Sequence, residues 1–539
     1  MTVSPWGRTW RGASDLRHRL KHRSAFRSVA TCLGVLLVAC ASNDRSAANA
    51  AYDHGRTERL FTVGYQDISE IYIEEIGLGR LALSGLRRLE TIDPEIDIRR
   101  VNDSIVVSHE STRRSFAMPR REVPEAWANL TADVIEVGRT YSKSLSATPT
   151  PALHETVFTG IIGHLDRYSR YAGADAARRN RAHRDGFGGI GVRIRMRDSG
   201  IEVLRVMNES PAAKAGLREG DVILAVDGTP ARRIGRHDGA RTLRGPVDTE
   251  VGLTVRRADS DEPDRIDVTR ARIVPETVSY ERRGNTAYIR LTGFNQRTTN
   301  SLRDSIQRAK ADIGADLAGY VLDLRDNPGG LLDQAVTVAD QFLAGGRIVA
   351  THGRHPDSHQ YFDAAPGDVA EARPLTVLVN ADSASASEIV AAAVQDSGRG
   401  LVIGSTSYGK GTVQTVLRLP NEGELTLTWA RFMAPSGYPL SNHGVVPNIC
   451  TSLAASRTMR DLVNQVRRGD LSPRAAAAGQ GDAEVGRGDK ADACPGNGRR
   501  PRQDAELARR LLLDHDLFQA ARKGTPARLA QAHSDDKQR

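Results

Sequence analysis

Two short segments of the sequence carry residue types that could perform acyl-transfer chemistry together. The first is Ser383-Ala384-Ser385-Ala386-Ser387-Glu388-Ile389, which follows an apolar strand pattern and opens a helix pattern that reaches Asp396. The second is Tyr408-Gly409-Lys410-Gly411-Thr412-Val413-Gln414, in which a lysine stands between two glycines. A desolvated lysine has a lowered pKa, so its neutral amine can take a proton from a serine near neutral pH. Together the segments predict a serine nucleophile with a lysine base.

A purely structural role is an alternative for the first segment. Ser385 to Glu388 fits the S-x-x-E capping box, in which the serine only caps a helix. The second segment favours chemistry, because a lysine between two glycines is a poor helix-surface residue.

The segment from Asp323 to Gly330 is a third candidate. It reads Asp-Leu-Arg-Asp-Asn-Pro-Gly-Gly, a strand end that passes through glycines into a helix. Such a loop presents free backbone N–H groups to an anion or a developing oxyanion, although a simple turn is the alternative. It is not a Walker phosphate loop, because no Gly-Lys-Ser/Thr follows.

Two other catalytic arrangements fit the sequence less well. Ser407 and Lys410 formally match the S-x-x-K motif of penicillin-binding enzymes, but the flanking glycines argue against the helical turn that this motif needs. A Ser-His-Asp triad would need an imidazole and is not supported by any G-x-S-x-G elbow. The histidines near these segments are His352, His355, His359 and His443.

The elements that must position these segments form an alternating pattern of strands and helices over residues 276–450, typical of an α/β core. Strand patterns cover 288–291, 319–324 and 375–380, and helix patterns cover 300–311 and 331–343. Residues 60–182 have mostly helical apolar spacing, which predicts a mainly helical N-terminal domain after a polar tether at 40–59.

Residues 186–275 resemble a PDZ domain of the kind found in bacterial proteases. The resemblance rests on three segments in order: Gly188-Gly189-Ile190-Gly191, the short helix of 210–217, and the strand and Asp-Gly turn of 220–228. In such a domain, backbone N–H groups at the glycines bind a peptide's C-terminal carboxylate, and the peptide adds a strand to the sheet edge.

The core motifs resemble those of the carboxyl-terminal processing peptidases, also called tail-specific proteases. The matching features are the Ser-Ala-Ser-Ala-Ser-Glu segment, the lysine 25 positions after Ser385, Gln414 four residues after Lys410, and the Asp-x-Arg-x-Asn-Pro-Gly-Gly loop. The resemblance implies that Ser385 is the nucleophile, that Lys410 is the base and that Gln414 orients this lysine. It also implies an oxyanion hole formed by the N–H group of Ala386 with that of Gly329 or Gly330.

The resemblance further implies a multidomain α+β fold, with a helical N-terminal domain, a β-sandwich-like PDZ module and an α/β core with a mixed sheet of the ClpP/crotonase type. We expect protein or peptide substrates bound by their C-termini, with no metal and no organic cofactor. A homo-oligomer and an adaptor protein both remain open as partners. The alternative from another class is a catalytically silent PDZ lipoprotein that acts as a tail-binding scaffold.

The charge of the chain is concentrated at its two ends. With 75 Lys+Arg against 66 Asp+Glu the net charge is +9, of which residues 1–39 contribute +6 and residues 451–539 contribute +5. The remaining body carries −2 and has no basic stripe, so we expect no nucleic-acid binding. An apolar fraction near the globular norm excludes a mainly disordered chain.

Residues 1–39 have the pattern of an export signal, in which a basic stretch precedes a short apolar run. The run ends in Leu37-Val38-Ala39-Cys40, which resembles a lipobox and predicts a lipidated Cys40, although an ordinary cleavage site is the alternative. Ser42 in place of an acidic residue favours the outer membrane. We therefore expect a periplasmic protein anchored as a lipoprotein.

Residues 451–539 are rich in Ala, Arg, Gly and Asp, which predicts a largely disordered tail with one helix over 504–521. In the mature chain Cys450 and Cys494 could form a disulfide in an oxidising compartment or remain two thiols.

Overall fold

The computed structural model describes residues 52–235, 238–257, 259–260, 262–453, 458–471, 494–495 and 501–523. The chain forms two compact units. The first contains the described residues up to Ala177 together with Gly353–Pro356 and Gln414–Trp429, and the second contains the rest. The predicted signal segment and Cys40 lie outside the described residues. Within the described part of the chain, no helix has both the length and the apolar character that a membrane span requires.

Helices dominate the first unit. They run over His54–Ile71, Leu78–Arg87, Pro124–Tyr141, Lys143–Ala147 and Thr150–Ile162, with a 3-10 turn at Arg88–Thr91. Three antiparallel strands, Ile96–Val101, Ser104–His109 and Thr112–Ala117, form a β insert. The first helix begins inside the segment predicted as a tether, because the Asp53 carboxylate accepts the Arg56 N–H at 2.9 Å and caps it. The core of the unit is built around Phe61, Tyr65, Trp127 and Phe158.

The helix Ala174–Asp185 leads into the PDZ-like module. Its main sheet contains the strands Val192–Arg197, Gly200–Val206, Val222–Val226, Thr229–Pro230, Glu250–Arg256 and Pro263–Thr269, with Val192–Arg197 at one edge. A separate pair, Phe187–Gly189 with Ala271–Ile273, closes the module. The short helices are Pro211–Lys214 and Gly239–Leu243, with a 3-10 turn at Ala231–Arg233.

A six-stranded mixed sheet forms the core of the second unit. Its strands, in spatial order, are Val278–Arg283, Thr286–Leu291, Gly319–Asp323, Leu375–Val379, Leu401–Gly404 and Ile449–Cys450. The first pair is antiparallel, and the other neighbours are parallel. Its helices are Thr298–Ile313, Leu332–Asp340 and Ala386–Asp396, with a 3-10 turn at Gly314–Asp316.

The parallel strands place three loops at one edge of this sheet. Their carboxyl ends lead into residues 324–330, 380–385 and 405–411, which we call the glycine loop, the serine turn and the lysine loop. The carboxyl edge of a parallel sheet is where functional groups from separate strands converge. The candidate residues therefore meet although they are far apart in the sequence.

The remaining strands are Arg170–Ala172, Arg347–His352, Gln360–Asp363, Thr412–Arg418 and Glu424–Met433, with a 3-10 turn at Pro356–Ser358. In the first unit residues 424–426 pair with Arg170–Ala172. In the second unit residues 431–433 pair with Arg347–His352, which also pairs with Gln360–Asp363.

The described segments of the C-terminal region are mostly helical. A 3-10 turn at Thr451–Leu453 is followed by helices at Met459–Arg468, Pro501–Leu513 and His515–Lys523, where the sequence predicted one helix over 504–521. Their apolar residues, including Leu462, Leu507, Leu511 and Phe518, pack against the core sheet. Cys450 and Cys494 form a disulfide. These helices are held in place because their apolar faces are buried against the sheet. The rest of the tail that was predicted to be disordered lies outside the described residues.

Candidate active site

Ser385 has an unusual backbone conformation at the end of the serine turn, directly before the helix Ala386–Asp396. Its φ is 57° and its ψ is −113°, a conformation that costs a residue with a side chain about 1–3 kcal/mol. The Ser383 hydroxyl supports the turn by donating to the Leu324 carbonyl at 2.8 Å. Strain that is enforced by the surrounding structure is characteristic of functional sites.

The buried carboxylate of Glu388 connects the serine turn to the lysine loop. One of its oxygens accepts the N–H groups of Ser385 at 2.6 Å and Lys410 at 3.1 Å. The other accepts the Ser407 hydroxyl at 2.7 Å and the Gly409 N–H at 2.6 Å. The backbones of Ser385 and Lys410 are thus brought together on a single oxygen atom.

The environment of Glu388 combines two opposing electrostatic effects. Burial raises the pKa of its carboxyl, because the charged form loses its hydration. Four hydrogen-bond donors oppose this rise by stabilising the carboxylate. Hydrogen bonds to a charged acceptor are roughly twice as strong as neutral ones, so the network holds both loops firmly.

Asn327 joins the glycine loop to the serine turn. Its carbonyl oxygen accepts the Ala384 N–H at 3.0 Å and the Ser387 hydroxyl at 2.9 Å. Its side-chain amide donates to the Leu291 carbonyl at 3.0 Å and accepts the Gly329 N–H at 2.9 Å. Because Asn327 is fully buried, these four bonds make the two segments one rigid assembly.

The two glycines of the loop have different environments. Gly329, with φ of 100°, lies against the serine, since a Cβ there would be 2.9 Å from both the Ser385 Cβ and the Ala386 nitrogen. Its N–H group is already donated to Asn327. Among the described residues, no acceptor faces the N–H groups of Gly330 or Ala386. The N–H of Ala386, directly after the serine, and the N–H of Gly330, directly after Gly329, are therefore the available donors of these two segments.

Both glycines that flank Lys410 are required by close backbone packing. Gly411 has φ of 51°, and a Cβ there would lie 1.9 Å from the Ser441 nitrogen. The Gly409 carbonyl accepts the Asn442 N–H at 2.8 Å. The neighbouring Tyr408 N–H donates to the Ser383 carbonyl at 3.0 Å, a second bond between the lysine loop and the serine turn. Lys410 itself is half-buried.

Gln414 lies in the first unit, where it joins a polar network. Its amide nitrogen donates to the Thr428 hydroxyl at 3.2 Å, and that hydroxyl donates to the Asp166 carboxylate at 2.6 Å. The other oxygen of Asp166 accepts the N–H and the hydroxyl of Ser169 at 2.8 and 2.7 Å. Because the Thr428 hydroxyl donates its hydrogen bond to Asp166, its oxygen is left to accept from the Gln414 amide.

The rival arrangements find no support in the described residues. Ser407 lies in a non-helical loop, and its hydroxyl donates to Glu388 and accepts the Val445 N–H at 2.7 Å. His352 and His359 stack on each other with centroids 5.2 Å apart. Across the part of the chain that the structure describes, no histidine forms a hydrogen bond with Ser385.

The four PDZ-like positions do not form one continuous strand. Gly188 and Gly189 belong to the pair with Ala271–Ile273, and the Ile190 side chain is buried in the core of the module. Gly191, with φ of 80°, has no room for a side chain, because a Cβ would lie 2.4 Å from the Ser210 Cβ. Gly191 directly precedes the edge strand Val192–Arg197.

Potential metal ligands cluster at two places in the described residues of the first unit. One group is His54, Asp133 and Glu136, and the other is Asp93, Glu95 and His109. Within these groups Asp133 pairs with His54 at 2.9 Å, and Asp93 accepts the Ser142 hydroxyl. Neither group includes Ser385 or Lys410.

Sequence reasoning missed the roles of Glu388 and Asn327. Glu388 was assigned only to a capping box, and the structure shows that the same carboxylate also accepts from the lysine loop. The available signal was that Glu388 opens an apolar helix pattern, where a charge that becomes buried needs more donors than one helix end supplies. The signal for Asn327 was its place directly before Pro-Gly-Gly, where asparagine side chains bond to nearby backbone groups.

The sequence matches Peptidase family S41 over residues 285–451 and a PDZ domain over residues 202–257. A carboxy-terminal-processing protease of Bartonella bacilliformis is 41% identical over 299 residues, which cover 55% of this chain and 69% of that protein. A carboxyl-terminal-processing protease of Synechocystis is 33% identical over 265 residues, covering 48% and 61% of the two chains. The solved structure of a photosystem II D1 C-terminal processing protease aligns at 23% identity with a TM-score of 0.37, over 72% of this chain and 92% of that one.

A mixed α/β core joined to a PDZ domain, with serine, lysine and glycine loops at one sheet edge, defines a serine-type peptidase. The chain belongs to the carboxy-terminal-processing proteases of Peptidase family S41.

Proposed function

We propose that this chain is an exported serine endopeptidase that binds protein C-terminal tails through its PDZ domain and cleaves with Ser385 and Lys410. Its role would be C-terminal processing or periplasmic protein turnover. The observation that carries the proposal is the Glu388 carboxylate, one oxygen of which accepts the N–H groups of both residues. The match to Peptidase family S41 spans both residues and supports the same assignment.

In the proposed reaction the neutral Lys410 amine takes the Ser385 hydroxyl proton as the serine oxygen attacks the scissile carbonyl. The N–H groups of Gly330 and Ala386 donate to the oxyanion, and Lys410 returns its proton to the leaving amine. Water then attacks the acyl-enzyme and gives a proton to Lys410. As the acyl group separates from Ser385, Lys410 returns this proton to the serine oxygen. Gln414, four residues after the lysine, orients the amine. Loss of one oxyanion donor costs about 10²–10³ in rate.

The edge strand Val192–Arg197 supports the proposed mode of tail recognition. An extended peptide can pair with this strand, while N–H groups in the segment from Gly188 to Gly191 receive the C-terminal carboxylate. Main-chain pairing depends little on side chains, which suits an enzyme that acts on varied tails.

We also propose that the chain is periplasmic and anchored through a lipidated Cys40, with the outer membrane favoured. The basic and apolar pattern of residues 1–39 and the small residues before Cys40 support this location. The Cys450–Cys494 disulfide supports it independently, because disulfides persist mainly in oxidising compartments.

The test of the dyad is cleavage of an unfolded protein by the purified full chain, compared with Ser385→Ala and Lys410→Ala. We expect both variants to lose cleavage while keeping the unfolding midpoint of the parent protein and binding of a C-terminal peptide. Full activity in either variant would contradict the assignment of Ser385 as nucleophile and Lys410 as base. Peptide binding without turnover by the parent protein would instead indicate a tail-binding scaffold. The molecular mass of the purified protein in solution shows whether the chain forms an oligomer. The mass of the complex recovered in a pull-down shows whether an adaptor protein binds to it.

A further inference from the structure

The C-terminal helix Pro501–Leu513 packs on the core sheet although it lies beyond residues 285–451, which match the peptidase family. Its buried residues Leu507, Leu511 and Leu512 share a cluster with Leu378 and Ile403 of the parallel strands. The helix is therefore part of the second unit's core.

Asp504 is the buried acidic residue of this helix, with 5% of its surface exposed. One carboxylate oxygen lies 3.4 Å from a terminal guanidinium nitrogen of Arg325, which is itself 6% exposed. The two residues are 179 positions apart in the sequence. Removing one partner of a buried ion pair is strongly destabilising, because the remaining charge is then neither paired nor hydrated.

Arg325 belongs to the glycine loop and is held from two sides. Its Nε and second terminal nitrogen donate to the two oxygens of Asp323 at 2.8 Å each, on the strand that precedes the loop. The remaining terminal nitrogen faces Asp504. The second terminal nitrogen also donates to the Tyr288 hydroxyl at 3.1 Å. Asp323, Tyr288 and Asp504 therefore hold the guanidinium together, two residues before Asn327 and five before Gly330.

The disulfide ties the same C-terminal region to the other loop of the site. Cys450 ends the last strand of the core sheet, and Cys494 is bonded to it. The Cys494 carbonyl accepts the N–H of Thr406, in the lysine loop, at 3.3 Å. The C-terminal region thus contacts both the loop that carries Lys410 and the loop that carries Gly330.

We propose that Asp504 is a positioning residue for proteolysis, which acts through Arg325 to hold the glycine loop in the geometry that presents the Gly330 N–H. The proposal rests on the proposed function, in which this N–H stabilises the oxyanion. It assigns to the C-terminal helix a role in catalysis that lies outside the part of the chain matched by the family.

The test compares Asp504→Asn with Glu506→Gln in the full chain. Glu506 lies on the same helix, but its carboxylate pairs only with Arg509 and Arg510 on that helix among the described residues. We expect Asp504→Asn to lower kcat for an unfolded protein substrate about tenfold with KM within twofold, as expected when one charged partner is lost. Glu506→Gln should keep both constants within twofold.

Amide hydrogen exchange separates positioning from simple docking and does not depend on activity. In Asp504→Asn we expect faster exchange in peptides covering 324–331, while peptides covering 505–513 keep their protection. Equal loss of protection in both regions would overturn the proposal, since Asp504 would then only dock the helix, and so would an unchanged kcat. The exchange measurement is made in the parent background and in the Ser385→Ala background. Because exchange does not require cleavage, failure of the dyad assignment and failure of this proposal give different results.

Discussion

At the scale of single residues, Glu388 is the group on which the site depends. It is fully buried, and its two oxygens accept four donors that come from the serine turn and the lysine loop. A carboxylate can accept all four because both of its oxygens carry lone pairs and neither carries a proton. No uncharged side chain of the same length has this property.

Glu388→Gln is expected to lower kcat/KM about 10²-fold, because displacement of a reacting group by about 1 Å has that effect. The new NH₂ group must face two N–H or O–H donors, and an unsatisfied buried donor costs about 1–3 kcal/mol of the free energy of unfolding. Kinetics and denaturant unfolding measure the two effects. Glu371→Gln is the control, since Glu371 is exposed and pairs only with Lys310 among the described residues. Activity within twofold of the parent would show that the carboxylate is dispensable.

His154 should make the stability of the protein depend on pH. Burial lowers the pKa of its imidazole to about 4 from 6.5, and its Nε2 lies 3.1 Å from the Thr57 hydroxyl. The folded state therefore holds His154 neutral, so its contribution is complete above pH 6.5 and is lost as pH falls toward 4. Between pH 7 and pH 5 the free energy of unfolding should fall by about 2 kcal/mol from this residue.

The measurement is urea unfolding of the parent and His154→Gln at both pH values. The variant should lose about 2 kcal/mol less than the parent over this interval. His515→Gln is the control, because His515 is exposed. Equal pH dependence of His154→Gln and the parent would contradict the assignment.

At the scale of elements, the site is built from three loops at the carboxyl edge of parallel strands. The loops are bonded to one another as well as to their strands, through Asn327, Glu388 and the Tyr408–Ser383 bond. The lysine loop in addition passes against the backbone of residues 440–444, which explains the glycines on both sides of Lys410.

Gly411→Ala is expected to reduce kcat/KM by about 10²-fold, because its Cβ would collide with the Ser441 nitrogen and displace Lys410. Gly437→Ala provides a matched control. Gly437 also has a positive φ, 79°, but no atom lies within 4 Å of its added Cβ. The control should lose only about 1 kcal/mol of stability from backbone strain and keep its kcat/KM. Similar losses in the two variants would mean that backbone strain, not the close packing, requires glycine at 411.

At the scale of the whole molecule, the PDZ domain and the peptidase core belong to the same compact unit. Contacts such as the Asn295 side chain with the Pro275 carbonyl at 2.8 Å join the module's C-terminal end to the core. Binding of a substrate tail by the PDZ domain and cleavage by the core can therefore be measured separately on the same protein.

Amidation of a substrate's C-terminus should raise KM about tenfold and leave kcat within twofold. The amide removes the carboxylate charge, and a hydrogen bond to a charged group contributes about 1.5–3 kcal/mol. Steady-state kinetics on paired acid and amide peptides measure the effect. In a variant that lacks residues 186–275 the two peptides should behave alike. A difference that persists without the module would place tail recognition elsewhere.

The sequence predicted most of the local structure of the core. The pattern over 375–380 followed by a helix to Asp396 corresponds to the strand Leu375–Val379 and the helix Ala386–Asp396. Apolar patterning and glycine breaks report such elements because they act over a few residues. The apolar spacing over 504–521 likewise predicted a helix, and the structure has the helices Pro501–Leu513 and His515–Lys523 there. Their packing on the core sheet could not be predicted, because the surface that covers them is distant in the sequence.

What the sequence alone determined is the family, the strand-and-helix order of the core and the positions of the serine, lysine and glycine motifs. These follow from residue types at short spacing, where local chemistry decides. Only the tertiary structure decided that the Glu388 carboxylate joins the serine turn to the lysine loop, and that Asp504 reaches Arg325. Such contacts form when parallel strands and a docked helix bring distant segments to one place. Their stability is a balance between the attraction of paired groups and the cost of burying charges and closing loops, and neither leaves a periodic pattern in the sequence.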